Sequence, residues 1–357
     1  MPGASHPVVI RFGRLGDTVL LQPLLHRLRQ RYGQPCDLLV AGAGPAVLYA
    51  HQPDVAEVRA VLAPRRLLCL SGERWRAIGW LREHRTAPVY VCEPRPHALR
   101  RIDHMLHWAG MPPGQCTHLV DLPLRPGEHW VDHLLRFADV TPPDFEGRCR
   151  ALAPETEVAP HWQADAAECA DCADWLQARG LSGYPLVLLQ PANKRTMRWN
   201  GVRAAADDDK AWPPQRWAML ARQILQHLPS ARVLLCGCPG EAGHLRTICA
   251  LAANPAVVSV ADELPLARLK GLLCRVHSMV SVDTGPAHLA AALGCPLVVM
   301  FGGVSPAHWA PRAIPPGVVT VLGGSSPGGR VADLSVEQVL AAWDALPRQS
   351  VERPAAA

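Results

Sequence analysis

Residues 280–302 read VSVDTGPAHLAAALGCPLVVMFG, two apolar segments joined by a turn and an alanine-rich segment. Residues 278–282 are apolar and β-branched enough to predict a buried strand, and a second strand follows Pro296. Between them, Pro286 suits a first helical turn and Gly294 ends the helix. We therefore predict a strand, turn, helix and strand of an α/β fold, in which the Thr284 hydroxyl caps the helix and Gly285 takes a positive φ.

The start of this helix is a candidate phosphate site. Free amide groups and the positive end of the helix dipole attract anions there, and Thr284 and His288 flank them. Ordinary strand-to-helix crossovers of α/β folds have the same spacing. From the spacing alone, a well-capped turn without a ligand fits equally well.

A second glycine-bearing loop follows the first apolar segment, residues 8–10. Gly13 and Gly16 let this loop come close to a bulky ligand, and Asp17 stands at the start of a helix that runs towards Gly33. The loop lacks the G-x-G-x-x-G pattern, which argues against a dinucleotide site. On its own, Asp17 reads as a first-turn acid that stabilises the helix by about 0.5–1 kcal/mol.

Three segments together resemble the motifs of glycosyltransferase family 9, the ADP-heptose:lipopolysaccharide heptosyltransferases. Residues 283–296 match D-T-G-P-x-H-L-A-A-A-L-G-x-P, residues 10–17 match I-R-x-G-x-x-G-D, and residues 210–213 match K-x-W-P. The resemblance covers nearly the whole chain and is firmest over residues 8–31 and 210–302. It implies an α/β fold of GT-B architecture, with two Rossmann-like domains facing each other across a cleft.

The domain boundary is expected in the Pro- and acid-rich segment 140–160, and 357 residues are enough for two cores. Residues 1–160 are then the acceptor-binding domain and residues 161–330 the nucleotide-sugar-binding domain. Residues 331–357 are expected to form a helix that packs back across the cleft, followed by a disordered tail. Residues 305–309 and 315–329 are expected to be loops.

The resemblance implies inverting transfer of a heptose from ADP-heptose to a sugar hydroxyl of the lipopolysaccharide inner core, without a metal or cofactor. Asp17 matches the proposed base, Lys210 the lysine that binds the diphosphate, and Glu241 a carboxylate near the ribose. Lys194 is a second candidate for the diphosphate, because it also lies beyond the end of a strand. The amides of Thr284 and Gly285, with His288, would stabilise the departing diphosphate, whereas Asp283 would repel phosphate and shapes the turn.

On the acceptor side, Arg95, Arg100 and Arg101 form a small basic patch near a strand end. Such a patch is either a solvated face or a site for an anionic acceptor. We expect a cytoplasmic enzyme that contacts the inner face of the membrane, because the sequence shows no signal peptide or spanning segment. The net charge of +5 is spread evenly, which argues against a nucleic-acid partner.

Three other functions compete with this one. A related GT-B transferase would use another nucleotide sugar, or a protein or small glycan as acceptor. A nicotinamide oxidoreductase and a non-catalytic nucleotide-binding protein are the other two; the missing G-x-G-x-x-G argues against the first and Asp17 against the second. Residues 207–209, three aspartates, are expected to be solvated rather than to bind a metal. Cys169 and Cys172 have C-x-x-C spacing without a second pair, so no zinc or redox site is predicted.

Overall fold

The computed structural model describes residues 6–64, 71–198, 201–202, 207–324, 326 and 328–347. The chain divides into two compact units, residues 1–160 and 161–357. The predicted disordered tail, residues 348–357, lies outside the described residues. None of the described helices is both long enough and apolar enough to cross a bilayer.

The first unit contains five strands, β1 (Val8–Arg11), β2 (Cys36–Ala41), β3 (Val55–Val61), β4 (Val89–Val91) and β5 (Cys116–His118). They form one parallel sheet with the order β3-β2-β1-β4-β5. The helices are α1 (Leu15–Val19), α2 (Gln22–Tyr32), α3 (Gly44–Tyr49), α4 (Gly72–Glu83), α5 (Pro96–Ala109) and α6 (Trp130–Ala138). β1 is fully buried in the middle of the sheet, and the loop that follows it begins at the carboxyl edge.

In the second unit, the strands of the main sheet are β6 (Leu186–Gln190), β9 (Arg232–Leu235), β10 (Val257–Ser259), β11 (Ser278–Val282), β12 (Leu297–Phe301) and β13 (Val319–Gly323). This sheet is parallel, with the order β10-β9-β6-β11-β12-β13. The strands β7 (Met197–Arg198) and β8 (Gly201–Val202) form a separate antiparallel pair. Its helices are α7 (Ala166–Ala178), α8 (Pro214–His227), α9 (Ala242–Ala252), α10 (Leu266–Leu273), α11 (Gly285–Ala292), α12 (Pro306–Trp309) and α13 (Val336–Asp344).

The predicted strand, turn, helix and strand of residues 280–302 is confirmed as β11, α11 and β12. β11 lies between β6 and β12 in the sheet, and every residue of β11 and β12 is buried. Alanine residues of α11 are fully buried where this helix packs on the two strands. Small side chains allow that close approach, and Gly294 with φ 77° ends the helix as expected.

Two predicted loops are wrong in part. Residues 319–323 form β13, which pairs in parallel with β12, although the surrounding segment is rich in Gly and Pro. β13 is an edge strand with half-buried residues, and its Val and Thr side chains favour an extended backbone, a signal hidden among the flanking Gly and Pro residues. Residues 306–309, also expected to be a loop, form the short helix α12.

The last helix, α13, belongs to the core of the second unit. Val336, Val339 and Trp343 are buried there, and α13 packs against α8 and β12. The indole of Trp343 donates to Ser278 Oγ at the start of β11, at 2.8 Å. The expected packing of this helix back across a cleft stays a prediction.

Candidate active site

Asp17 is held by two donors at the carboxyl edge of the first sheet. Its Oδ1 accepts from Arg11 at 2.7 Å, and its Oδ2 accepts from the Arg14 amide at 2.7 Å. The second contact is the first-turn role that the sequence alone suggested. Burial would raise the pKa of Asp17, but the Arg11 charge and the Arg14 amide outweigh it, so the pKa is lowered from its ordinary value. Asp17 is therefore ionised at neutral pH.

Arg11 is itself fixed by a buried network that the sequence analysis missed. Its side chain is only 4 % exposed; it donates to the Cys92 carbonyl at 2.7 Å and lies 3.8 Å from Glu93. Glu93, which follows β4, is fully buried and accepts from the Phe12 amide at 3.2 Å. The pairing of β1 with β4 brings these residues together, so Glu93 acts on Asp17 through Arg11.

The basic patch is only partly as predicted. Arg95 does not stand free: it donates to Glu93 Oε1 at 2.8 Å and to Oε2 at 3.0 Å, and also to the Phe12 carbonyl. Its charge is therefore largely neutralised by a buried carboxylate. Arg100 is exposed and Arg101 half-buried, both further along α5.

The two glycines of the first loop have different surroundings. A Cβ on Gly13 would lie 2.6 Å from Asp17 Cβ and 2.8 Å from Arg11 Nε, so Gly13 makes room for the Arg11–Asp17 pair. Gly16 is a half-buried residue inside α1. The expected approach of a ligand to these glycines stays a prediction.

In the second unit, the turn after β11 differs from its predicted form at two residues. Thr284 occupies the N-cap position, but its hydroxyl contacts Ser281 Oγ at 3.0 Å and makes no cap hydrogen bond. Gly285 is the first helical residue and does not have a positive φ. The Ser281 hydroxyl, which is buried next to Thr284, competes for the Thr284 side chain. The Thr284 side chain therefore accepts no hydrogen bond from the amides of the first helical turn.

Lys210, Asp283 and His288 form one cluster beside this helix start. Lys210 Nζ pairs with Asp283 Oδ2 and donates to the Asp283 carbonyl at 3.1 Å. His288 is 6 % exposed, and its Nε2 lies 3.6 Å from Asp283 Oδ1. Burial would raise the pKa of Asp283, but His288 and the Lys210 charge lower it to about 2. Asp283 thus does more than shape the turn, because it binds the cation assigned to the diphosphate.

Two of the three aspartates before Lys210 are not solvated as expected; only Asp207 is exposed. Asp208 is 1 % exposed and accepts from Asn193 Nδ2 at 2.9 Å. Asp209 pairs with Arg195, and its Oδ2 accepts from the Gly303 amide at 2.9 Å. These contacts tie the Lys210 segment to the loop after β6 and to the loop after β12.

Lys194 and Glu241 lie outside the Lys210 cluster. Lys194 is an exposed residue in the turn after β6. Glu241 is 6 % exposed, and its Oε2 accepts from the Cys238 amide at 2.8 Å, as a helix-start acid does. Burial raises the pKa of Glu241, and the Cys238 amide offsets this only in part. The ribose contact of Glu241 stays a prediction.

Metal ligands are not grouped in the part of the chain that the structure describes: no three His, Cys, Asp or Glu residues are arranged to hold an ion. Cys169 and Cys172 lie on α7 as free thiols, and burial raises the pKa of Cys172 to about 11. Such a thiol is mostly protonated at neutral pH and is a poor nucleophile.

Comparisons with known proteins point to one family. The family model described as glycosyltransferase family 9 (heptosyltransferase) matches residues 190–323. The chain is similar to lipopolysaccharide heptosyltransferase 1 of Pseudomonas aeruginosa, with 34 % identity over 27 % of this chain and 26 % of that protein. It is similar to lipopolysaccharide heptosyltransferase 1 of Escherichia coli K12, with 32 % identity over 29 % of this chain and 32 % of that protein. The matched segments thus span about a quarter to a third of these relatives.

Similarity to solved structures extends over both units. The ADP-heptose lipopolysaccharide heptosyltransferase II of E. coli matches 95 % of this chain and 98 % of its own, with a TM-score of 0.71 and 22 % identity. A family 9 glycosyltransferase from Veillonella parvula matches 95 % of this chain and 96 % of its own, with a TM-score of 0.70 and 15 % identity. At these identities the likeness is one of fold, and it confirms the predicted α/β class with GT-B architecture.

Proposed function

We propose that this chain, which belongs to glycosyltransferase family 9, moves a heptose from ADP-heptose to a sugar hydroxyl of the lipopolysaccharide inner core. The observation that carries the proposal is the Lys210 ammonium beside the amino end of α11, joined to it through Asp283. A lysine and free helix amides are the groups that bind a diphosphate. The relatives in Pseudomonas aeruginosa and Escherichia coli, which are lipopolysaccharide heptosyltransferases, support the heptose and lipopolysaccharide part of the proposal.

At the anomeric carbon, the proposed reaction forms one C–O bond and breaks another. The acceptor oxygen bonds to the anomeric carbon of the donor while the bond from that carbon to the diphosphate oxygen breaks, with inversion. Negative charge grows on the leaving ADP, and Lys210 with the Gly285 amide stabilises it. The acceptor proton goes to Asp17 as general base. Arg11 keeps Asp17 ionised and oriented before the acceptor arrives.

Lys210 is the stronger of the two lysine candidates. It reaches the turn after β11, whereas Lys194 is exposed in the turn after β6. Asp283 holds the Lys210 ammonium beside the helix start, so the cation does not have to be ordered when a diphosphate binds. Glu241 is the candidate for the ribose, because it follows β9 at the same edge of the sheet as the turn after β11.

The acceptor is proposed to be anchored in a membrane, so the enzyme would act at the inner face of the cytoplasmic membrane. Arg100 and Arg101 are the candidates to meet anionic groups of that acceptor, since Arg95 is already paired with Glu93. Arginine suits such groups because its planar fork binds phosphate and carboxylate in a bidentate way.

The test is transfer by the purified chain from ADP-heptose to an acyl-free core oligosaccharide that lacks heptose. Mass spectrometry of the product is expected to show the added heptose, and Asp17→Asn is expected to lower the rate about 10²–10⁴-fold with ADP affinity nearly unchanged. UDP-glucose and GDP-mannose serve as competing donors. Transfer from one of these donors, with none from ADP-heptose, would contradict the proposed donor. Transfer only to a protein or a small glycan would contradict the proposed acceptor.

A further inference from the structure

One face of α5 carries basic and histidine side chains and ends in an exposed indole. His97, Arg100, Arg101, His104 and Trp108 are three or four residues apart, so they lie along one side of the helix. The other side is buried through its apolar residues, among them Ile102, Met105 and Leu106. Asp103, the acidic residue next to this stripe, lies with its Oδ1 3.3 Å from His118 Nε2.

The carboxyl end of the stripe carries two exposed indoles. Trp108 is 50 % exposed and Trp75 of α4 is 41 % exposed, with ring centroids 5.7 Å apart in an edge-to-face pair. Arg82 of α4 donates to the Trp108 carbonyl at 2.8 Å, and Arg76 is exposed on the same helix. Two half-exposed indoles side by side on a protein surface are typical of a site that contacts another protein or a membrane.

We propose that this α4–α5 surface, made of the stripe, Trp75, Arg76 and Arg82, docks on an anionic lipid bilayer. Tryptophan favours the boundary between lipid and water, where the ring is buried and the indole N–H stays wet. Arginines around the indoles complement the negative charge of the leaflet. A protein interface usually needs a larger apolar centre than two indoles, so the lipid surface fits better.

The position of the surface in the first unit agrees with this assignment, which rests on the proposed function. α5 begins beside Arg95 and Glu93, at the sheet edge that holds Asp17, and the indole pair lies at its other end. The eleven residue steps from His97 to Trp108 span roughly 16 Å of helix. One end of the surface therefore lies near the proposed base, and its other end carries the indoles that would contact lipid. A glycan acceptor attached to a lipid would extend between these two ends.

Flotation of the full chain with vesicles tests the proposal. Vesicles of phosphatidylcholine with phosphatidylglycerol are compared with phosphatidylcholine alone, at low and high salt. The wild type is expected to float only with the anionic vesicles and to be released as salt shortens the Debye length from about 10 Å at 0.1 M to about 3 Å at 1 M. The double variants Trp75→Ser/Trp108→Ser and Arg76→Glu/Arg82→Glu are each expected to bind at least about tenfold more weakly, since interfacial indoles and basic side chains both favour the bilayer surface.

Matched controls come from the second unit. Tyr184→Ser/Met219→Ser removes two side chains that are 40 % and 39 % exposed, and Arg222→Glu/Arg246→Glu reverses two exposed arginines on helices. Both controls are expected to float like the wild type. Equal loss in the controls, or equal flotation with neutral vesicles, would overturn the proposal. Self-association of the wild type that Trp75→Ser/Trp108→Ser abolishes, without vesicle binding, would instead identify a protein interface.

Transfer to the acyl-free oligosaccharide separates this proposal from the proposed function. All variants are expected to retain that activity and ADP affinity, because the substituted residues belong to no part of the proposed reaction site. Transfer without vesicle binding would remove the docking surface and leave the function. Vesicle binding without any transfer would remove the function and leave a lipid-binding surface.

Discussion

At the scale of single residues, Asp17 and Asp283 are both carboxylates beside a shielded cation, yet the proposal gives them different tasks. The pKa of each is below its ordinary value, through Arg11 for Asp17 and through His288 and Lys210 for Asp283. In the proposed reaction the ionised Asp17 accepts a proton, whereas Asp283 forms an ion pair with Lys210 and holds the ammonium in place. Sequence reasoning could predict both residues from their motifs, but not these partners.

Glu93 tests how Asp17 is tuned. In Glu93→Gln, Arg11 and Arg95 keep their charges but lose the buried carboxylate, so Asp17 faces more uncompensated positive charge. We expect the pKa of Asp17 to fall further, the acid limb of the pH–rate profile to move to lower pH, and turnover to drop. Rate measurements across pH check this.

Glu93→Gln also removes the buried carboxylate beside Arg11 and Arg95, and breaking a buried ion pair in this way commonly costs about 3–5 kcal/mol of stability. Glu93→Asp keeps the charge, and we expect it to restore most of the normal pH profile. If Glu93→Gln folds and its profile coincides with that of the wild type, Glu93 has no influence on Asp17.

Lys210→Ala is expected to weaken ADP binding by about 1.5–3 kcal/mol, the usual contribution of a charge-assisted contact. The variant also leaves the Asp283 charge facing the diphosphate, so Lys210→Ala/Asp283→Asn should recover part of the loss. Calorimetry with ADP measures both. Lys194→Ala is the control, and a loss in that variant alone would give the role to Lys194.

Asp283 also makes stability depend on pH. Its folded-state pKa of about 2 lies below the ordinary value near 3.9, so its contribution is present above about pH 4 and is lost as the pH falls towards 2. Asp283→Asn should therefore lose roughly 2 kcal/mol less stability than the wild type over that range. Urea unfolding at several pH values tests it, with the exposed Asp174→Asn as control. Parallel curves for wild type and Asp283→Asn would contradict the pairing.

At the scale of elements, the β11–α11–β12 unit could be predicted because its signals are local. Its apolar runs, Pro286 and Gly294 each act within a few residues. β5 and β13 could not, because β5 has only three residues and β13 lies inside a segment rich in Gly and Pro. The contacts of Glu93 and Asp209 were missed for a different reason. Their partners are brought to them only by sheet pairing or by contact between loops.

Gly302 is the element-scale test of the Lys210 loop. A Cβ there would lie 2.4 Å from the Asp209 carbonyl oxygen, a main-chain atom that also accepts from the Val331 amide at 2.8 Å. Gly302→Ala should displace the segment before Lys210, cost about 1–3 kcal/mol of stability and weaken ADP binding. In Gly303→Ala the nearest atom is Asp209 Oδ2 at 3.4 Å, an ordinary contact. Equal ADP affinities in the two variants would refute the coupling.

At the scale of the whole molecule, the division into two units predicts where a nucleotide acts. ADP at about 100 times its Kd stabilises the unit that binds it by about 2.7 kcal/mol. Amide hydrogen exchange in the buried strands β6, β11 and β12 should slow accordingly, while the strands of the first unit keep their rates. Lys210→Ala should show little of this protection. Protection centred on the first unit would reverse the assignment of the two units.

The order of the second sheet has a consequence for folding. β6 is the first strand of its unit along the chain, but it pairs with β11, so Leu188 lies beside Met279. Pairing between strands that are distant in sequence requires the closure of a long loop, and the entropy of that closure is lost before the contacts form. Such pairing is therefore slow. A nascent chain thus cannot form the Lys210–Asp283 pair until β11 has emerged. The site is assembled late, and a chain truncated before Ser278 would have a β6 with one open side, a hazard for aggregation.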